Sequence, residues 1–239
     1  FLSFVSLQLT PILNVHATPS DTVYSDAGQI DLTGDDGTSS VYDLPFTFQI
    51  YNSSSEKFAV STNGYINFYD GSSNYLNKQA YALQDDLYQY GSAKTIYTKT
   101  IGEAPNRQFI IQWTNLTHCC GTWYPVGTFQ AILSETTNSV QYQYLYQGMG
   151  NLGNGANARI GLIDNAGHDK YYSQNQNVLS PRKAIKFTPD GTTDYTIEDN
   201  ATYLPYLLTL PTVPGDFTLS SPINAATGIA RDVTLTWSA

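Results

Sequence analysis

Four groups of residues have the types and spacing for chemistry. The first is Cys119-Cys120, the chain's only cysteine pair. Adjacent Cα atoms lie about 3.8 Å apart. That is short of the usual disulfide separation of about 4.4–6.8 Å, so a bond between neighbours needs a strained local backbone. An oxidising compartment favours that bond over two free thiols; bonds to another copy are the remaining state. A closed Cys119-Cys120 pair would turn the surrounding loop into a rigid knob. It would put His118, Trp123 and Tyr124 forward as ligand-binding residues, because flat aromatic faces can pack on sugars. One histidine beside two adjacent cysteines lacks the spacing of a zinc site.

The second group, Asp31, Asp35 and Asp36, crowds a Gly-containing turn, and Asp85-Asp86 makes a third. Calcium takes about six to eight oxygen ligands, many of them loop carboxylates. Asp31, Asp35 and Asp36 are therefore the candidate calcium ligands, weighed against an ordinary turn-forming role for aspartate. Neither group has EF-hand spacing. The fourth group is aromatic: Trp113, with Tyr142, Tyr144 and Tyr146 alternating along one strand. Trp113 ends an apolar strand and is expected in the core. The alternating tyrosines share one strand face and are read as packing residues.

Hydrolytic machinery is poorly supported. The histidines are His16, His118 and His168, and His168-Asp169 beside Gly167 reads as a surface loop. There is no Gly-x-Ser-x-Gly elbow and no His-Glu-x-x-His helix. The expectation is a chain without catalytic residues.

The elements that must position these groups are strands. Residues 58–68, 109–113, 128–144 and 158–163 are short runs rich in aromatic and β-branched residues, bounded by Gly, Asn, Pro or Ser. Tyr42–Tyr51 carries Leu44, Phe46, Phe48 and Ile50 at a period of two, so one face packs inward. Residues 80–88 are expected to form one helical turn around Asp85-Asp86. Nothing else reads as an amphipathic helix. The fold expected is an all-β antiparallel sandwich.

Composition agrees. Hydrophobic residues make up 41%, enough for a core, and charged residues only 13%, about half the usual share for soluble domains. The net charge of −9 makes nucleic acid and anionic membranes poor partners. Residues 1–17 read as part of a signal peptide, with a hydrophobic run ahead of Val15-His16-Ala17. No stretch is long and apolar enough to be a membrane helix. Sequons stand at Asn52, Asn115 and Asn200. The main domain is assigned to 18–190, followed by a Pro-containing linker over 191–215. Residues 216–239 resemble the opening strands of immunoglobulin-like or fibronectin-type repeats. They cover about a quarter of the roughly 100 residues such a domain needs, so the chain is expected to be a piece of a longer protein.

The order of segments resembles the nidogen-type (NIDO-like) extracellular domain and its relatives in large bacterial surface proteins. The matching residues are Ser61–Phe68, Asp85-Asp86-Leu87 before Ile96-Tyr97, Asn106–Trp113, Thr128–Leu133, Val140–Tyr144 and Arg159–Leu162. The likeness covers about residues 40–190, and the Cys119-Cys120 loop departs from it. The resemblance implies a secreted or cell-surface module for adhesion or extracellular assembly. Such a module would bind a matrix, glycan or protein partner through its loops, with no catalytic residues to carry over. The alternative is an accessory, carbohydrate-binding domain of a secreted hydrolase.

Overall fold

A computed structural model of the chain describes residues 21–89, 95–119, 125–147, 153–209, 218–221 and 236–238. These residues are all-β, with no helix among them. The expected signal peptide, Cys120, Trp123 and Tyr124 lie outside the described residues, as does most of 216–239.

Two antiparallel sheets face each other across one core. The first has six strands: β4 (Tyr42–Ile50), β5 (Ser53–Val60), β6 (Tyr65–Tyr69), β7 (Tyr75–Gln84), β13 (Arg159–Ile163) and β14 (Lys170–Gln174), ordered β14-β13-β7-β6-β5-β4. The second has nine and is built on the long β10 (Gln108–His118). On one side β10 pairs with β11 (Pro125–Ser134), continuing to β12 (Val140–Gln147), β15 (Lys183–Pro189) and β16 (Tyr195–Asp199). Its other side is shared by β9 (Ile96–Ile101) and β8 (Leu87–Gln89), which pair outward with β2 (Gly28–Gln29) and β3 (Gly34–Asp35) respectively.

Strict alternation builds the core. In β4 the side chains of Leu44, Phe46, Phe48 and Ile50 are all buried, as their period of two requires. They meet Phe58, Ile66 and Phe68 from the same sheet and Trp113, Phe129, Tyr142, Tyr144 and Phe187 from the other. Trp113 stacks on Phe129 at 5.1 Å. The core aromatics also tie the sheets together through their polar ends, since a buried indole or phenol needs a partner. Trp113 Nε1 donates to the Ser61 carbonyl at 2.9 Å, Tyr142 Oη to Gly161 at 2.9 Å and Tyr144 Oη to Ala82 at 2.6 Å. Burial holds both phenols well above the ordinary phenol range, so they remain donors. Tyr144→Phe is expected to leave the fold intact and cost about 1–3 kcal/mol by stripping a buried acceptor of its donor. A lowered urea midpoint at unchanged slope would confirm this, and an unchanged midpoint would refute it.

Two sequence expectations give way. Residues 80–88 are not helical: Ala80 and Ala82 turn inward and Gln79 and Tyr81 outward, because β7 is hydrogen-bonded on both sides, to β6 and β13. The stretch expected as a linker from 191 is instead held on the sandwich. Its β16 extends the nine-stranded sheet, and residues 201–209 cross the outer face of that sheet as a strap. Within the strap, β17 (Tyr206–Leu208) pairs in parallel with β1 (Thr22–Tyr24). The strap is fixed by a row of buried glutamines. Gln112, Gln130 and Gln143 stand opposite one another on β10, β11 and β12, with amides linked at 2.7 and 2.6 Å. Gln141, Gln143, Gln130 and Gln112 then donate in turn to the carbonyls of Thr202, Leu204, Tyr206 and Leu208. Of 216–239, the described parts are β18 (Thr218–Ser221) and β19 (Thr236–Ser238), paired antiparallel.

Candidate functional site

At one end of the sandwich the pairing of β3 with β8 brings Asp35 beside Asp86 and Cys119, their ligand-type atoms within 4.8 Å of one another. Asp31 is not in this group, and Asp36 accepts a bond from Asn63 Nδ2 at 2.9 Å. Cys119 is disulfide-bonded, so its sulfur, 3.2 Å from Asp35 Oδ2, has neither a proton to donate nor a thiolate lone pair for a metal. Two exposed carboxylates remain, far short of the about six to eight oxygens of a calcium site. His118 is turned toward the protein: Nδ1 lies 3.1 Å from the Cys119 carbonyl and Nε2 3.4 Å from Asp85 Oδ1.

His168 is likewise tied up. It sits in the turn between β13 and β14, its Nδ1 2.7 Å from Asp164 Oδ2. Asp164 Oδ1 accepts the backbone N–H of Ala166 and of His168, at 2.7 and 3.0 Å. Burial pushes the Asp164 carboxyl pKa up. Those donors, the His168 ring and the Lys78 charge more than offset it, leaving the group below the usual carboxylate range. A depressed folded value stabilises the protein fully above the unfolded pKa of about 3.9. The contribution is lost as pH falls through the folded value. The acid limb of the stability curve is therefore expected below about pH 4, and Asp164→Asn should flatten it in urea titrations at stepped pH; an identical acid limb would refute the assignment.

A different surface carries unspent groups. On the solvent side of the six-stranded sheet, β6 presents Tyr65, Asn67 and Tyr69, while β7 presents Tyr75, Gln79 and Tyr81. Registration makes two tyrosine pairs: Tyr65–Tyr81 at 5.7 Å and Tyr69–Tyr75 at 5.4 Å. Between them Gln79 Nε2 donates to Asn67 Oδ1 at 2.8 Å, and Tyr81 Oη donates to Gln79 Oε1 at 2.9 Å. The Arg159 guanidinium lies 5.4 Å from the Tyr81 ring centre, its Nε bonded to Gln84. Lys57, on the neighbouring strand, is paired with Asp43 at 2.6 Å. The sequence signal was available: tyrosine and amide residues alternate at a period of two along both strands.

The family model for NIDO-related domains matches residues 16–204. The chain belongs to the NIDO-related family. No curated protein and no solved structure matches it. The NIDO-related match reaches beyond the 40–190 of the resemblance at both ends. At its C-terminal end the match takes in β16, the edge of the nine-stranded sheet, and the start of the glutamine-bound strap that crosses the outer face of that sheet. Among the described residues no helix is long and apolar enough to cross a membrane, which says nothing of a β-barrel.

Proposed function

We propose that this NIDO-related domain is a non-catalytic recognition module working outside the cell, on a secreted or surface-attached protein, in adhesion or extracellular assembly. The observation that carries this reading is the exposed tyrosine–amide face, together with the family. Tyr75 is 40% exposed on this face and Tyr65, Tyr69 and Tyr81 are half-buried, and tyrosine is enriched where proteins meet partners. Among the described residues His118 and His168 face neighbouring protein groups and Asp164 holds the turn between β13 and β14, which fits binding better than turnover. Trp123 and Tyr124 are further contact residues in this reading.

The test is a panel of immobilised matrix proteins and glycans, probed with the purified chain and followed by assay of the ligand for chain cleavage. Saturable binding with the ligand recovered intact is expected. Release of cleavage products, or failure to bind any member, would overturn the reading.

A further inference from the structure

We propose that the solvent face of the six-stranded sheet is a glycan platform that takes a neutral polysaccharide chain. This rests on the recognition reading above and names its ligand class and its place.

The geometry is that of a shallow trough with aromatic shoulders. Tyr65 and Tyr69 stand four residues apart on one strand, so the two tyrosine pairs are separated by about 13 Å. The floor between them is low: Ala59 and Asn67 stand opposite one another and are buried. Tyr75 is the most open shoulder, 40% exposed. A pyranose offers two kinds of surface, patches of C–H groups and an equatorial ring of hydroxyls. Tyrosine rings, negative on their faces, attract the C–H patches. Side-chain amides, with donor and acceptor side by side, match neighbouring hydroxyls. Gln79 and Tyr81 hold the Asn67 carbonyl side of the network, while Asn67 Nδ2 and the hydroxyls of Tyr65, Tyr69 and Tyr75 have no partner among the described residues. The trough thus ends in preset, unspent hydrogen-bonding groups. Burial, and then the neighbouring phenols, push Tyr75 up to about 12, and burial raises Tyr69 and Tyr81 as well, so these hydroxyls stay protonated as donors.

Charge and polarity select the occupant. The face's cations are engaged, Lys57 by Asp43 and Arg159 by Gln84 and Tyr81. The chain as a whole carries −9, which disfavours acidic glycans. Apart from the buried Ala59 and Ile163, the face presents no aliphatic side chain from β5, β6, β7 or β13 for a protein partner to cover. A neutral, hydroxyl-rich chain fits both constraints.

The experiment is native affinity electrophoresis of the full chain in gels containing a soluble β-glucan, xylan or galactomannan, with polygalacturonate as the anionic control. Retardation by at least one neutral polysaccharide and none by polygalacturonate is expected. The double variant Tyr69→Ala, Tyr81→Ala removes one ring from each shoulder. It should weaken binding at least about tenfold, the change that about 1.4 kcal/mol brings. Should that variant melt early, Asn67→Leu removes the central amide at similar volume and serves the same purpose. Retardation that neither variant weakens would overturn this location. Binding to a matrix protein in the panel with no retardation by any neutral polysaccharide would overturn the ligand class while the recognition reading stands. Silence in both assays would overturn both.

Discussion

Replacing Gly64 by alanine should remove at least about 4 kcal/mol of folding free energy, a large part of the roughly 5–15 kcal/mol a domain has. Gly64 has φ +74, and a Cβ built there would lie 2.1 Å from the Leu83 carbonyl oxygen and 2.9 Å from its carbon. That neighbour is backbone, so no side-chain rotation relieves the overlap. The Gly64 carbonyl also accepts the amides of Ala82 and Leu83, at 3.1 Å each. The adjacent Asn63 Oδ1 accepts the Leu87 amide at 2.9 Å. Moving Gly64 away would therefore pull on the bend that carries β7 into β8. Gly167 is the control. It too has positive φ, +96, but nothing lies within 4 Å of its added Cβ. Gly167→Ala should cost only the left-handed backbone penalty, about 1–2 kcal/mol. Urea unfolding of the two variants side by side would separate overlap from backbone preference; equal losses would refute the close approach at Gly64.

Gln130→Leu should cost at least about 3 kcal/mol, although leucine nearly matches the lost volume. Gln130 is the middle of the glutamine row. It donates to Gln112 Oε1 and to the Tyr206 carbonyl, and it accepts from Gln143 Nε2. Leucine would remove three hydrogen bonds at once, each worth about 1 kcal/mol net, although Gln112 Oε1 keeps the Leu208 amide and Gln143 Nε2 the Leu204 carbonyl. The same change should free the strap, whose Leu204 and Leu208 amides are bound to Gln143 and Gln112. Faster hydrogen exchange at Leu204, Tyr206 and Leu208, together with a lowered urea midpoint, is the expected result. Unchanged exchange in the strap would show that Leu208, packed with Ala27, Ile110 and Ile132, holds it without the amides.

What the sequence disclosed and what it hid follow from distance along the chain. The alternation in β4, the inward Trp113 and the paired Tyr142 and Tyr144 are local patterns, and they can be read directly. The run 80–88 was misread because Ala, Leu and Gln favour helix locally, while pairing on both sides decides for strand. The strap was missed because its partners, Gln112, Gln130 and Gln143, are remote in sequence, and the prolines nearby read as a linker. The approach of Asp35 to Asp86 arises only from the β3–β8 pairing. The tyrosine–amide face could have been found. Its alternation of tyrosine and amide residues is plain in 65–69 and 75–81.

The most direct test of the account is an NMR titration of the isotope-labelled chain with a neutral oligosaccharide cut from whichever polysaccharide retards it, following the side-chain amides of Asn67 and Gln79 and the rings of Tyr65, Tyr69, Tyr75 and Tyr81. Shifts that saturate together and stay confined to this face would confirm that the sheet is the recognition surface. Shifts clustered instead around His118 and Cys119, with the tyrosine face unmoved, would contradict it.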